Sequence, residues 1–455
     1  LQLAAVWKVL NEPGFNPPPP NPVRIVRARN VPGLVERTHV LSDVFTADGR
    51  TYVSPLVIGL PNRHNVLFDL ETNRLAAWWT GDTALERTKG KSWFWEPGGT
   101  MVVGAEQFGD EAELSFIVRE PAEHAPFAQH QNGALLDTVE QTDRGATFTY
   151  RLNRYRGRSG PFRVRQTFEP LPVDPQSPGA SGFRRTIEIA GLEGSAELRP
   201  ARLTSNELRK LPGAPRIVAR QSIDDDAEVA TTFTSRTISG VGEAVERFVI
   251  DYRAELPIDT FPTELPAAAP PPRVKVDVVP GFDGVQLPLP PAEMPTGLAW
   301  KRDGTLVVAS LKGRVFTAAD PDGDGFEDRL TPISRDLATP YGVATAEEAG
   351  RPVIDVVDKT ALVRLYDDDG DGYCERSAVV ADGWGHTDDY HDWAVGLPRI
   401  PGGGYYVALP CQQDDREPVK AHLRGHALRL LPRAPTVDDP RRFRLDPLCG
   451  GLRFP

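Results

Sequence analysis

Two acidic segments of this chain have the spacing to hold a metal ion. Asp320-Pro321-Asp322-Gly323-Asp324-Gly325-Phe326-Glu327-Asp328 and Asp367-Asp368-Asp369-Gly370-Asp371-Gly372-Tyr373-Cys374-Glu375 begin 47 residues apart and share the pattern D-x-D-G-D-G-x-x-[DE]. Carboxylates at loop positions 1, 3, 5 and 9 can converge on one hard cation. These are Asp320, Asp322, Asp324 and Asp328 in the first loop, and Asp367, Asp369, Asp371 and Glu375 in the second. Phe326 and Tyr373 can each add a backbone carbonyl, and Gly325 and Gly372 permit the sharp turn that brings the donors together. An all-oxygen donor set favours Ca²⁺ over zinc or copper. A single loop of this kind reads equally well as an acidic turn without metal; two in register favour calcium. Neither has the Glu at position 12 of an EF-hand, and neither is flanked by a helical pattern. The expectation is calcium held between strands, in a structural role.

A second segment, Gly385-His386-Thr387-Asp388-Asp389-Tyr390-His391-Asp392-Trp393, puts two His, three Asp, a Tyr and a Trp into nine positions. His391 and His386, with Asp389 as a carboxylate neighbour, are the candidate catalytic residues. A His beside a carboxylate can take a hydroxyl proton from a sugar. The same residues could contact a ligand or metal, or satisfy backbone groups in a polar loop. Trp78, Trp79, Trp93 and Trp95 cluster with Lys89 and Lys91. In a groove they would stack on sugar rings; as core residues they would pack internally. Tyr155-Arg156-Gly157-Arg158 reads as a solvated basic turn.

The elements that would position these groups are short strands. Before the first acidic loop come Pro295 to Trp300, an Asp303-Gly304 turn, Thr305 to Ser310, and Gly313 to Phe316. Before the second come Pro340 to Ala344, Val353 to Val357 and Ala361 to Tyr366. A third copy starts at Val395-Gly396-Leu397, runs through the Gly402-Gly403-Gly404 turn, and continues as Tyr405 to Leu409 and Ala427 to Leu431, without an acidic loop. The opening glycines Gly297, Gly342 and Gly396 are 45 and 54 residues apart, which is the period of β-propeller blades. Upstream, Ala146 to Leu152, Phe162 to Phe168, Arg185 to Ile189 and Arg247 to Tyr252 alternate apolar and polar residues with period two, as sheets with one solvated face do. The expected fold is all-β: a Pro-rich tail at 1–22, a β-sandwich at 23–262, a Pro/Ala-rich linker at 263–289, and propeller blades at 290–455. Three blades do not close a ring, so further blades from the same or another chain are expected.

The 44 prolines and 41 glycines suit an all-β chain with many turns. A formal charge of −11 with no basic stripe argues against a nucleic-acid partner. No apolar run approaches the roughly 18 residues of a membrane-spanning helix. Cys374, Cys411 and Cys449 form no C-x-x-C and no C-x-x-C-H, so neither a zinc knuckle nor a c-type haem is encoded; one disulfide plus a free thiol, or three buried thiols, both remain open. Weak calcium loops saturate at extracellular calcium, which points to an extracytoplasmic location, periplasmic or secreted.

Residues from about 290 to 455 resemble the glucose/sorbosone dehydrogenase-like propellers of large multidomain proteins in Planctomycetes and relatives. The repeated D-G-D-G loops and Tyr390-His391-Asp392-Trp393-Ala394-Val395-Gly396-Leu397 carry the resemblance. Ile58-Gly59-Leu60-Pro61, Asn65 to Asp69 and Ala77-Trp78-Trp79-Thr80-Gly81 are similar to the β domain that often precedes that propeller. The resemblance implies oxidation of a sugar or polyol with pyrroloquinoline quinone and calcium, and electron transfer to a c-type cytochrome domain or subunit. It also implies that His391 stands where the family's general base stands, five residues before Gly396-Leu397. The family's Arg-Asn-Pro-Gln is replaced here by Asp392, Trp393, Ala394 and Val395. A module of another class, binding carbohydrate or protein without catalysis, is the alternative.

Overall fold

The computed structural model describes residues 25–26, 38–116, 134–152, 162–255, 274–290 and 293–453, apart from 90–91, 110–112, 172–179, 193–194, 201–204, 223–230, 240–244, 335, 390–391 and 412–420. The Pro-rich tail, the Pro266 to Pro272 stretch, the Tyr155 to Arg158 turn and His391 lie outside the described residues. Within them the chain is all-β except for two one-turn helices, Ala105–Phe108 and Ser205–Leu208.

The N-terminal half packs two sheets face to face. One is eight-stranded, with His39–Leu41, Pro55–Gly59, His64–Asp69, Arg74–Lys89 and Ser92–Val103 as consecutive neighbours. The other contains Ala134–Gln141, Ala146–Leu152, Phe162–Leu171, Ala180–Ala190 and Val245–Glu255. Period-two alternation supplies the facing side chains, and the core between them is aromatic. Phe183 stacks on Tyr252 at 4.4 Å, Trp78 meets Phe183 edge-on at 5.4 Å, and Phe68 sits 5.2 Å from Phe148. Each buried ring of this size contributes about 1.5–3 kcal/mol by leaving water. Trp78, Trp79, Trp93 and Trp95 are all buried, so they are core residues and not a sugar platform.

The repeats follow as antiparallel sheets. The first contains Pro295–Trp300, Leu306–Ser310, Arg314–Ala319 and Arg329–Ser334; the second contains Gly342–Glu348, Arg351–Val357, Leu362–Tyr366 and Arg376–Ala381. The third joins Tyr405–Ala408, Ala427–Pro432 and Phe443–Cys449, with Val395 and Arg399 bridging to Ala408 and Tyr405. The repeated opening glycine has a steric cause. A Cβ on Gly297 would stand 3.1 Å from the Gly342 Cα, and one on Gly342 would stand 2.7 Å from the Gly396 carbonyl oxygen. Successive first strands therefore approach through backbone where any side chain would intrude.

The second repeat is also joined to the N-terminal half. Ala134–Gln141 pairs with Arg376–Ala381 (Thr138↔Ala378, Val139↔Ser377, Glu140↔Arg376), so one eleven-stranded sheet runs through both regions. Buried polar contacts fasten the same junction. Lys359 Nζ donates to Asp43 Oδ1 at 2.8 Å, and Asp43 also accepts from Trp95 Nε1 at 3.2 Å. His39 Nδ1 lies 2.5 Å from Asp336 Oδ2, Lys312 pairs with Glu86, and Arg441 Nη1 donates to Asp137 at 2.8 Å.

Two buried groups carry opposite pH dependences. Trp78 Nε1 donates to His64 Nδ1 at 3.0 Å, so Nε2 holds the imidazole proton and donates to Ser181 Oγ at 2.8 Å. Burial lowers the His64 pKa to about 4. Its contribution to stability is present above its ordinary 6.5 and is lost as pH falls through about 4. Asp358 accepts from Thr360 N, Thr360 Oγ1 and Ala361 N, yet burial raises its pKa to about 6. Its contribution is present below 3.8 and is lost as pH rises through about 6. A pKa of about 6 in place of 3.8 amounts to about 3 kcal/mol. Between pH 4 and 7, urea unfolding of Asp358→Asn should therefore shift in the variant's favour, relative to the parent, by up to about 3 kcal/mol. A stability difference independent of pH would refute this assignment.

Candidate functional site

Each acidic loop connects the third and fourth strands of its repeat: 320–328 joins Arg314–Ala319 to Arg329–Ser334, and 367–375 joins Leu362–Tyr366 to Arg376–Ala381. The two loops fold alike because the same side chains accept from the same backbone positions. Asp320 accepts from Gly323 N at 2.8 Å and, through Oδ2, from Gly325 N at 2.8 Å. Asp367 accepts from Gly370 N at 2.6 Å and from Gly372 N at 3.0 Å. Asp322 and Asp369 accept from Asp324 N and Asp371 N, and these residues in turn accept from Phe326 N and Tyr373 N. Gly325 (φ 90°) and Gly372 (φ 92°) take the left-handed turn between them.

These turns point the carboxylates inward. In the second loop one oxygen from each of Asp367, Asp369, Asp371 and Glu375 lies within 4.8 Å of the others; in the first, Asp320, Asp322 and Asp324 do so. Asp328 stands outside that group, its N–H donating to the Ala319 carbonyl at 3.0 Å. The crowding shows in the charges. The Gly325 N–H, with those of Gly323 and Asp324, holds Asp320 below the usual carboxylate range. At Asp322 the Asp324 N–H pulls the pKa down, but desolvation and the neighbouring Asp320, Asp324 and Asp328 outweigh it and raise the carboxyl. A divalent cation would relieve that repulsion. Tyr373 is buried beneath the second loop, whereas Phe326 is half-buried beneath the first.

The histidine-bearing segment packs against the N-terminal sheet. The His386 Nε2 lies 3.3 Å from the Val53 carbonyl oxygen, and its enclosed Nδ1 has no partner. Burial, with help from the Lys359 and Arg424 charges, lowers its pKa to about 4. Asp389 is buried, pairs through its backbone with Ser92, and takes the Thr387 hydroxyl oxygen as acceptor for its N–H. Trp93 N donates to the Asp388 carbonyl at 2.9 Å. Downstream, Asp392 accepts from Thr387 Oγ1 at 2.5 Å, Trp393 stacks on Tyr341 at 5.0 Å, and Ala394 is fully buried. These side chains are committed to packing and to polar contacts at that junction. The structure thus brings together His386, Asp389 and Asp392 with Asp43, Lys359 and Arg424 at a junction, a grouping that spacing in the sequence does not signal.

No family model matches this chain, and no curated protein matches it. Among solved structures, a protein described as an oxidoreductase (glucose dehydrogenase) from Thermus thermophilus is 15% identical, with a TM-score of 0.22, over 90% of this chain and 100% of that one. A protein described as a 6-phosphogluconolactonase from Bacteroides uniformis is 9% identical, with a TM-score of 0.22, over 90% of this chain and 81% of that one. Likenesses of that size carry no argument about the fold or the activity of this chain.

Proposed function

We propose that this chain is an extracytoplasmic, calcium-stabilised binding module, a propeller-type repeat array braced on a β-sandwich, that recognises a carbohydrate or protein without catalysing a reaction. The observation that carries the calcium reading is the convergence of four carboxylates in the second loop on the same hydrogen-bonded turn as the first. Hard oxygen donors between strands suit Ca²⁺ at the affinities of extracellular modules, about 10⁻⁴–10⁻³ M. Calorimetric titration with CaCl₂ should find two sites. Asp371→Asn should remove the tighter and Asp322→Asn the weaker, because the second loop offers one carboxylate more. Absence of saturable binding at millimolar calcium would overturn the reading.

The binding reading is preferred to the dehydrogenase reading because of where His386, Asp389, Asp392 and Trp393 are placed. A His with a pKa near 4, enclosed against a neighbouring sheet, is a poor general base at neutral pH. An absorbance scan of the purified protein should accordingly show no quinone or haem bands, and neither His386→Ala nor His391→Ala, the latter at the position of the family's general base, should alter any sugar-dependent reduction of an electron acceptor. A quinone band, or turnover lost in either variant with the fold intact, would restore the dehydrogenase reading.

A further inference from the structure

The third repeat differs from the other two at one place. Where they carry acidic loops between third and fourth strands, it carries residues 433–442, with Arg433, Arg441 and Arg442. Beside this loop opens a groove of about 360 Å³, lined by Arg364, Arg399, Arg433, Arg442, Tyr405 and Phe443, with Ile400 and Pro432 as further apolar wall. No carboxylate is among its lining residues. That volume is at the small end of ligand pockets, about 300–1,000 Å³.

Three of the four arginines are held from behind. Arg364 donates to both oxygens of Asp355 at 2.7 and 2.8 Å and reaches Glu348 at 3.2 Å. Arg442 pairs with Glu348, and Arg433 with Asp439. Glu348 is fixed in turn by the Tyr366 hydroxyl at 2.7 Å, and the Tyr405 hydroxyl donates to Asp355 at 2.8 Å. Arg399 is exposed and has no salt bridge or side-chain hydrogen bond among the described residues. Four guanidinium groups therefore face three carboxylates, Asp355, Glu348 and Asp439. One positive charge is left over, at the groove, in a chain whose net charge is −11. Guanidinium groups pre-ordered by carboxylate acceptors, of which Asp355 is fully buried, suit planar or tetrahedral oxyanions.

We propose that this groove binds a small ligand of about monosaccharide size that bears a carboxylate or sulfate group, with Arg399 and Arg442 on the oxyanion and Ile400 and Pro432 against the remainder. This deepens the binding-module reading by naming a ligand class. It does not depend on calcium, so it stands or falls separately from the two-site calcium titration.

The test is calorimetric titration at constant ionic strength with glucuronate, inorganic sulfate and glucose. Glucuronate and sulfate should bind and compete with each other, and glucose should not bind. Arg399→Ala should weaken glucuronate by roughly tenfold or more, the loss expected for one charge-assisted contact, with an unchanged melting curve because the residue is exposed and unpaired. Arg302→Ala, which removes an exposed arginine on the first repeat, should leave the affinity as it was. The proposal is overturned if neither anion binds, if glucose binds as well as glucuronate, or if the two arginine variants weaken binding equally.

Discussion

Removing calcium is expected to lower the melting temperature, and the sign of the loop mutations is expected to reverse with it. A ligand at about ten times its Kd stabilises by RT ln(1 + [L]/Kd), about 1.4 kcal/mol, so two loops give about 3 kcal/mol at millimolar calcium and a shift of a few degrees. In calcium, Asp371→Asn should cost more than Asp324→Asn, because the second loop gathers Asp367, Asp369, Asp371 and Glu375 and the first only Asp320, Asp322 and Asp324. In chelator the same substitutions should be neutral or slightly stabilising. The amide keeps the Oδ1 that accepts from Tyr373 N or Phe326 N, while one of the mutually repelling charges is gone. Differential scanning calorimetry of parent and variants, with and without chelator, reads both effects. A melting curve indifferent to chelator would remove calcium from the account, and variants equally harmful in both conditions would make the loops merely structural turns.

Asp43→Ala should be among the most damaging single substitutions, costing about 3–5 kcal/mol. Asp43 is 3% exposed and its partner Lys359 1%, and the pair links the N-terminal sheet to the second repeat. Truncation leaves an ammonium buried without a counter-charge and also strips the acceptor from Trp95 Nε1 and Val44 N. Replacing both partners by apolar residues, Asp43→Leu with Lys359→Met, should recover most of the loss, because two desolvated charges disappear together. Urea unfolding measures this cycle. A single-variant cost under about 1 kcal/mol would mean that water reaches Lys359 and that the junction is looser than the buried pair implies.

How much of this was legible in the sequence depends on the range of the interactions. Period-two alternation marked Ala146–Leu152 to the residue. It also placed the cores of Phe162–Leu171, Ala180–Ala190 and Val245–Glu255, and it missed their ends because the pairing partner sets where a strand stops. The acidic loops were legible for the same local reason: each turn is made by side chains accepting from backbone two to five residues on, so the pattern contains its own geometry. Asp328 shows where this ends. Four residues beyond Asp324, its backbone is drawn to Ala319 as the next strand begins, and its carboxylate lies outside the cluster.

The recurring opening glycines were visible as a period, but their cause was not. It lies in contacts of first strand upon first strand across about fifty residues, between Gly297, Gly342 and Gly396. Longer-range features left no local trace. The strand pairing of Ala134–Gln141 with Arg376–Ala381, the Asp43–Lys359 pair, and the burial of His386 and Asp389 against Val53 and Ser92 all join residues hundreds of positions apart. The groove that sets Arg364 beside Arg399 and Arg442 likewise brings together arginines 35 and 43 residues apart whose spacing in the chain means nothing until two sheets meet. Local hydrogen bonding and alternation let the sequence determine the strands and the turns of the acidic loops by itself. Which polar residues are buried, paired or left to face a ligand was decided only by tertiary packing, because desolvation and charge pairing depend on neighbours that the chain brings together late.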